Sequence, residues 1–193
     1  MKIIRTSVLI LCACFVSVAR GQQPACYNSW AQFHRYNMQR WNRCEKVLTV
    51  TNVKNLALKW KYATGFIALG SPEVANGVVY IGSGAEDGIG NLYALNARTG
   101  ALLWSYWSGL GNGVSSSPAV ANGVVYVGSN DGNLYALNAT TGALLWSYPV
   151  VDAGYSSPAV AYGVVYAGSN GNVYAPKCQH RRAAVELRHQ RWR

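Results

Sequence analysis

Residue types that commonly carry out chemistry are sparse in this chain. Of its three histidines, His180 and His189 lie near the C-terminus, and only His34 lies in the body of the sequence. From His34 alone, no histidine-based catalytic triad or zinc cluster can be assembled. His34 stands among aromatic residues, a setting that favours a packed or surface histidine over a catalytic one.

Two short stretches suggest a ligand site, but each lacks a required part. Glu86 and Asp87 lie in an insertion, Gly84–Gly90. Their carboxylates could contribute to a calcium site, but such a site needs about six or more oxygen ligands, so a solvated hairpin tip is the favoured interpretation. The glycine-rich run Gly109–Gly113 is not followed by the helix whose N-terminus would hold a phosphate. It is predicted to be an ordinary loop.

Residues 1–21 are typical of a secretory signal peptide. The apolar run Val8–Ala19 follows Lys2 and Arg5, is short for a membrane span, and leads into a cleavage-type sequence at Ala19–Gly21. The mature chain is expected to start at residue 22, to have no transmembrane segment, and to be exported to the periplasm, the exterior or the outer membrane. A lipoprotein modified at Cys14 and an uncleaved membrane anchor are the alternatives.

The cysteines predict one disulfide bond. Cys12 and Cys14 lie in the signal peptide, and Cys178 lies in a tail of unusual composition. In an exported protein, the remaining Cys26 and Cys44 form the natural pair. The alternative is two independent thiols.

One stretch, Ser116–Tyr148, is repeated along the chain. A close copy with an insertion spans Ser71–Tyr106, and a shorter copy spans Ser156–Ala175. Self-similarity with a period of roughly 40 residues indicates a repeat architecture.

Each repeat predicts a four-stranded antiparallel meander. Short runs rich in Val, Leu, Tyr and Trp alternate with turn signals and are typical of strands. These runs are Pro118–Val120, Val124–Val127, Asn133–Leu137 and Ala143–Tyr148. Between them lie Asn122-Gly123, Asp131-Gly132 and Thr141-Gly142. Asn-Gly and Asp-Gly favour the positive φ angles of tight hairpins.

The predicted strands are apolar on both faces. Leu134 and Ala136 point to one side of the sheet, and Tyr135 and Leu137 point to the other. Such a sheet must be covered on both faces. Identical sheets stacked face to face around an axis provide this cover. The predicted fold is therefore an all-β β-propeller, incomplete at about three blades, with an open stack of meanders as the alternative. Helical solenoids are excluded because no sustained helical period is present.

Two motif copies carry a resemblance to a known family. They read Ala94-x-Asn96-x-x-Thr99-Gly100-x-x-x-Trp104 and Ala136-x-Asn138-x-x-Thr141-Gly142-x-x-x-Trp146. They resemble the tryptophan-docking motif of the pyrroloquinoline-quinone-type (PQQ-like) propeller repeats, which usually have aspartate where this chain has asparagine. The resemblance implies that the tryptophan of one blade packs near the turn of its neighbour.

The same resemblance predicts the organisation of the exported chain. Residues 22–55 are expected to form an N-terminal lead-in or cap, and Leu56–Tyr62 is expected to be the outer strand of the first blade, into which this lead-in runs. Residues 56–175 are expected to form the propeller repeats, the last of them incomplete.

After Ala175 the repeat predicts a third docking motif, yet the chain continues as PKCQHRRAAVELRHQRWR. When this tail is reverse-translated and read in a frame shifted by one nucleotide, its codons permit LNA, then Asn or Ser, then TGALLWSY, in register with the repeat. We therefore interpret residues 176–193 as an out-of-frame tail, so neither His180 and His189 nor the arginines of this tail are assigned to a site.

The basic composition is consequently a poor guide to partners. The formal net charge is +10, but nine basic residues and one acidic residue lie in the signal peptide and the tail. The remaining eight basic and six acidic residues leave about +2, so no nucleic acid partner is predicted.

Two functions fit these observations. The first is a non-catalytic exported scaffold that binds a protein or polymer partner and needs no cofactor. The alternative is a fragment of a quinoprotein alcohol or sugar dehydrogenase, which by resemblance would use PQQ and calcium. That family's vicinal cysteine pair and carboxylate set match no position here. Because an open array exposes strand edges and an apolar blade face, self-association of the chain is expected.

Overall fold

The structure, a computed structural model, describes residues 46–65, 68–84, 90–107 and 113–176, and the backbone of residues 185–187. The signal peptide, Cys26, Cys44, the Glu86–Asp87 insertion and most of the run from Gly109 lie outside these residues. Within the described part of the chain, helical structure is limited to two short 3₁₀ helices, Val53–Asn55 and Ala153–Tyr155. No helix there is long and apolar enough to cross a membrane.

The described strands form three four-stranded antiparallel sheets, here called blades 1, 2 and 3. Blade 1 contains β1 (Glu73–Ala75), β2 (Val78–Gly82), β3 (Asn91–Asn96) and β4 (Leu102–Trp107). Blade 2 contains β5 (Ala119–Ala121), β6 (Val124–Ser129), β7 (Asn133–Asn138) and β8 (Leu144–Pro149). Blade 3 contains β9 (Ala159–Ala161), β10 (Val164–Ser169), β11 (Asn172–Ala175) and β12 (Val185–Leu187). Within each blade, neighbouring strands follow chain order, which confirms the predicted meander.

The turn chemistry explains the hairpins. Between β5 and β6, Asn122 and Gly123 both have positive φ, at 51° and 76°, as a tight two-residue hairpin turn requires. Between β6 and β7, Gly132 has a positive φ of 84° and Asp131 does not. Asp131 instead accepts a hydrogen bond from the Asn133 N–H at 2.9 Å through its carboxylate. In both hairpins, a glycine therefore supplies the positive φ at the last loop residue before the next strand.

Tyr162 stands in blade 3 where blade 2 has Asn122. It is fully exposed and adopts a φ of 52°. This left-handed conformation costs a residue with a Cβ roughly 1–2 kcal/mol, and asparagine tolerates it better. Tyr162→Asn is expected to raise the free energy of unfolding by about 1 kcal/mol in a urea titration. Tyr155→Asn is the control, because Tyr155 is also exposed but has no positive φ. An equal change in both variants would contradict the role of the backbone.

The apolar core lies between the blades. Tyr135 and Leu137 of blade 2 pack in one cluster with Tyr80 and Leu92 of blade 1. On the opposite face of blade 2, the residues in contact with blade 3 are Tyr126, Leu134 and Ala136, which pack against Val165 and Ala167. The predicted alternation is confirmed, and blade 2 is covered on both faces.

The segment Leu56–Tyr62 differs from its expected place. The outer strand of blade 1 is β4, and residues 57–62 pair with no strand among the described residues. The segment is nevertheless similar in sequence to β4, with Trp60 and Tyr62 in the places of Trp104 and Tyr106. It lies against blade 1 as the outer strand of a preceding blade would.

The fourth strand of blade 3 has the same register as the fourth strand of blade 2. In blade 2, Ala136 lies opposite Trp146, and in blade 3, Ala175 lies opposite Val185. Both pairs are separated by the same length of chain.

Candidate functional site

The predicted docking residues meet at the border between blades 1 and 2. The indole Nε1–H of Trp104 donates a hydrogen bond to the backbone oxygen of Ala139, at 3.0 Å. The Trp104 ring lies over Gly142, where an added Cβ would be 2.7 Å from ring atom Cε3. Tyr80 Oη also donates to the Ala139 oxygen, at 3.1 Å, and its ring centroid is 5.8 Å from that of Trp104. The turn after β7 therefore receives two donors from the preceding blade.

The same contact recurs at the start of blade 1. Trp60 Nε1 donates to the backbone oxygen of Ala97 at 3.1 Å. A Cβ added to Gly100 would be 2.7 Å from Trp60 Cδ2. Each of these tryptophans thus packs on the turn of the blade that follows it in the chain.

Asparagine fulfils the turn-forming role that the family usually gives to aspartate. Asn138 Oδ1 accepts hydrogen bonds from the N–H groups of Thr140 and Thr141, at 2.9 and 3.0 Å. Asn96 Oδ1 makes the equivalent bonds in blade 1. One side-chain oxygen is sufficient for this turn, so an amide can replace the carboxylate.

The small residues of the motif leave room for the indole rings. Ala94 and Ala136 are completely buried. Ala94 lies directly opposite Trp104 in the neighbouring strand, and Ala136 lies opposite Trp146, so each pair shares a face. Trp146 contacts Tyr126, with ring centroids 6.0 Å apart. The turn that would receive Trp146 lies after Pro176, outside the described residues.

A second aromatic contact lies two residues beyond each docked tryptophan. The ring centroids of Tyr62 and Tyr93 are 5.5 Å apart, and those of Tyr106 and Tyr135 are 5.7 Å apart. Tyr135 Oη donates to the Asp131 carboxylate at 2.6 Å. Burial, followed by this bond, raises the pKa of Tyr135 well above its usual value. Tyr135 is therefore a neutral hydrogen-bond donor.

Serine hydroxyl groups connect the inner strands, a role that was not predicted from the sequence. The backbone N–H of Ser71 donates to Ser117 Oγ at 2.8 Å, and the N–H of Ser117 donates to Ser157 Oγ at 3.0 Å. Within blade 2, Ser116 Oγ accepts the Gly128 N–H at 2.8 Å. The sequence feature that could have predicted this role is the Ser-Ser-Pro run, which occurs in two repeats.

Glu73 was also overlooked. It occupies the β1 position at which blades 2 and 3 have Ala119 and Ala159, and it is completely buried. It shares a face with Ala75, which packs between blades 1 and 2. Neither carboxylate oxygen has a hydrogen-bond partner among the described residues. Burial raises the pKa of Glu73 from 4.5 to about 9, so the side chain is protonated at neutral pH.

Gly142→Ala is expected to destabilise the chain by about 2 kcal/mol or more, because Gly142 has a φ of 73° and the new methyl group would clash with Trp104. Gly123→Ala is the matched control: Gly123 has a φ of 76° but nothing within 4 Å of an added Cβ. Gly123→Ala is expected to lower the free energy of unfolding by only about 1 kcal/mol, the cost of the left-handed backbone conformation alone. Urea unfolding of both variants isolates the tryptophan contact, and equal losses would show that this contact contributes nothing.

The polar groups of the described residues form hydrogen bonds that join neighbouring blades. No group of three His, Cys, Asp or Glu side chains among them could hold a metal ion. The chemistry of this network is hydrogen bonding and aromatic packing at the blade borders.

Comparison with known proteins identifies the family. Residues 46–192 match the family described as outer membrane protein assembly factor BamB. BamB from Moraxella catarrhalis has a similar fold, with a TM-score of 0.53 and 24% identity over 63% of this chain and 38% of that protein.

Two oxidoreductases are also similar. Quinohemoprotein alcohol dehydrogenase from Comamonas testosteroni superposes with a TM-score of 0.66 and 26% identity, over 80% of this chain and 26% of the enzyme. Lupanine 17-hydroxylase [cytochrome c] from a Pseudomonas species is 30% identical over 109 residues, which are 54% of this chain and 15% of that protein. This chain therefore spans a minor part of each relative's length. From the family match and its repeated four-stranded blades, the chain belongs to the PQQ-like β-propeller family of outer membrane protein assembly factor BamB.

Proposed function

We propose that the chain is part of an exported, non-catalytic propeller scaffold that binds a protein partner. The observation that carries this proposal is a repeated apolar surface on the outer strands. Leu102 and Leu103 of β4 and Leu144 and Leu145 of β8 are each about half exposed. The two pairs occupy equivalent positions in blades 1 and 2.

The backbone at this surface supports the same proposal. β4 and β8 are the edge strands of their sheets, so one side of each lacks a strand partner among the described residues. Edge strands readily accept an additional strand from another polypeptide, and neighbouring side chains then provide specificity. We infer that the partner presents an extended apolar segment. The description of the matched family, a factor in outer membrane protein assembly, agrees with such a partner and with a location in the cell envelope.

The test measures binding of a fluorescein-labelled peptide of alternating apolar and polar residues by fluorescence anisotropy. The double variant Leu103→Lys and Leu145→Lys should lose most of the binding seen with the unmodified chain, because lysine removes apolar contact area. The equivalent position in the segment before blade 1 is naturally Lys59, so the charge is expected to be tolerated. Ser105→Lys with Ser147→Lys adds the same charge to exposed positions of the same strands and should retain binding. No binding by the unmodified chain, or equal loss in both double variants, would contradict the proposal.

A PQQ-dependent dehydrogenase is the second candidate, favoured by the likeness to quinohemoprotein alcohol dehydrogenase and Lupanine 17-hydroxylase. PQQ and calcium belong to this alternative alone. The described residues do not fit a calcium–quinone site, because they contain no suitable group of carboxylates and because Glu73 is buried in a form that holds its proton. The alternative therefore concerns a larger protein. Dye reduction that depends on added PQQ and calcium would support it over the scaffold.

We also propose that residues 176–193 are an out-of-frame version of a third docking motif. The register of β12, which matches that of β8, supports this proposal. Sequencing the locus and translating the shifted frame is expected to give further docking repeats. If that frame encodes no repeats, the proposal is wrong. A vicinal cysteine pair with blade-end carboxylates in that frame would favour the dehydrogenase.

A further inference from the structure

The inner strand of blade 1 begins differently from the inner strands of blades 2 and 3. Before β5, Ser116 Oγ accepts the N–H of Gly128 at 2.8 Å, and before β9, Ser156 Oγ accepts the N–H of Gly168 at 2.8 Å. Each serine thereby connects the start of an inner strand to the second strand of its blade. The corresponding residue of blade 1 is Gly70, which has no hydroxyl group. A Cβ at position 70 would lie 2.5 Å from the backbone oxygen of Ser116, so a serine does not fit there without movement.

β1 also carries an ionisable side chain into the border between blades 1 and 2. Glu73 is completely buried on the face that it shares with Ala75. Neither of its carboxyl oxygens has a hydrogen-bond partner in the ranges that the structure describes. A protonated carboxyl group is neutral and can remain in these apolar surroundings. An ionised carboxylate at the same place would be buried without a donor, which costs far more than burial of the neutral acid.

The strands around Glu73 do not compensate a negative charge. The eight strands of blades 1 and 2 contain no lysine, arginine or histidine. Their titratable residues in or against this core cluster are Tyr80, Tyr106 and Tyr135, and β5 carries none. Burial raises the pKa of all three tyrosines, so they are neutral at pH 7. The nearest acidic group to Tyr135 is Asp131, which accepts its hydroxyl hydrogen bond and has the same sign of charge as an ionised Glu73.

β1 is the part of this border that can separate most easily. It is three residues long, forms the inner edge of its sheet and, among the described strands, pairs only with β2. Apart from Glu73, the side chain that it buries is the small one of Ala75. The rest of the border encloses Leu92, Val125 and Leu137, which are completely buried. Separation of whole blades would therefore expose much more apolar surface than release of β1 alone.

We propose that β1 is a pH-sensitive switch that is released when Glu73 loses its proton. While Glu73 is protonated, β1 pairs with β2 and packs against blade 2. When the carboxylic acid gives its proton to water, β1 separates from β2 so that the carboxylate becomes hydrated, and the outer part of the border stays closed. Blade 1 then changes from a four-stranded to a three-stranded sheet with β2 as its inner edge. Blades 2 and 3 have Ala119 and Ala159 at this position, so their inner strands stay in place.

The direction of the switch follows from proton binding. Burial raises the pKa of Glu73 from 4.5 to about 9 while β1 is in place, and hydration after release restores the ordinary value. The closed form therefore holds a proton that the released form gives up, and the ratio of released to closed form rises about tenfold per pH unit between these two values. From about pH 5 to 7, the ratio should rise about 100-fold.

Native-state hydrogen exchange of the full chain tests the proposal, followed by heteronuclear NMR at about pH 5, 6 and 7 with and without a low concentration of urea. The backbone N–H of Ser71, which donates to Ser117 Oγ in the next blade, reports on β1. The indole N–H of Trp104, which donates to the Ala139 oxygen, reports on the outer part of the same border. The protection factor of each group is the extent to which the structure slows its exchange relative to an unfolded peptide at the same pH.

Release of β1 alone gives a distinct pattern of exchange. The protection factor of Ser71 should fall about tenfold per pH unit and should not change in low urea, because release of one short strand exposes little surface. Trp104 should be more strongly protected, and its protection factor should fall as urea is added, since its exchange requires the blades to separate. Equal protection factors with the same urea dependence would show that the border opens as a whole, and would overturn the proposal.

Two variants identify the ionising group. Glu73→Gln has no proton to release at neutral pH, so the protection factor of Ser71 should no longer depend on pH. The double variant Ser116→Gly and Ala119→Glu reproduces both features of blade 1 in blade 2, and should give the same dependence to the N–H of Ser117, which donates to blade 3. A dependence that persists in Glu73→Gln, or a Ser71 protection factor in the unmodified chain that is equal at about pH 5 and 7, would contradict the switch. Because β4 and β8 are not part of it, the switch and the binding of an extended peptide can fail separately.

Discussion

Replacement of Glu73 by alanine is expected to raise the free energy of unfolding by about 3 kcal/mol at pH 7. Burial raises the pKa of Glu73 from 4.5 to about 9, so the folded chain retains a proton that the unfolded chain releases. Stability is therefore independent of this group below pH 4.5 and falls by about 1.4 kcal/mol per pH unit up to about pH 9. Alanine, the residue found at Ala119, has no proton to release and needs no hydrogen-bond partner.

The measurement is urea unfolding at about pH 5, 7 and 9 and at one protein concentration. Tyr80, opposite Glu73 in β2, is the titratable residue across the strand pair, and β5 carries none. Glu73→Gln should also flatten the pH dependence but stabilise less, because its amide remains unpaired. The reciprocal variant Ala119→Glu should introduce the dependence between blades 2 and 3. A stability of the unmodified chain that is flat from about pH 5 to 9 would contradict this account of Glu73.

Replacement of Trp104 by alanine is expected to lower the free energy of unfolding by about 3 kcal/mol. The substitution removes the ring that packs on Gly142 and the hydrogen bond to Ala139. It also leaves Tyr80 without its aromatic neighbour at the blade border. Trp104→Phe keeps an aromatic ring but loses the hydrogen bond to Ala139, so it is expected to lower the free energy of unfolding by about 1 kcal/mol.

Trp107→Ala is the matched control for this prediction. Trp107 lies in the same strand, but it is 62% exposed, so its removal should cost less than about 1 kcal/mol. Urea titration monitored by far-UV circular dichroism compares the variants without relying on tryptophan fluorescence. Losses of equal size for Trp104 and Trp107 would show that docking does not hold blades 1 and 2 together.

The strands themselves could be predicted closely. The run Val124–Val127 extends to Ser129 as β6, and Ala143–Tyr148 becomes Leu144–Pro149 as β8. These small shifts arise because ladder pairing, which depends on the neighbouring strand, sets the ends of a strand. Alternation within Leu134–Leu137 was sufficient to assign each side chain to a face, since the period of a strand is fixed at two residues.

The position of Leu56–Tyr62 could not be predicted in the same way. Its sequence has the composition of an outer strand, but a strand also needs a neighbouring strand with which to pair. The described residues provide no such strand for this segment. Only the packing of Trp60 on Gly100 and of Tyr62 on Tyr93 shows which blade the segment contacts.

The sequence by itself determined the repeat, the four-stranded blades, the turn residues and the tryptophans that could dock. These features follow from local rules: the period of a strand, the φ angles of Asn-Gly turns, and the recurrence of one motif. The tertiary structure decided which blade each face meets. It showed that Trp104 docks on the following blade. It also showed that Glu73 is enclosed between two blades, with no hydrogen-bond partner in the part of the chain that the structure describes. Burial depends on the surface that a neighbouring sheet brings to a side chain, and the alternation of residues along one strand does not specify that surface.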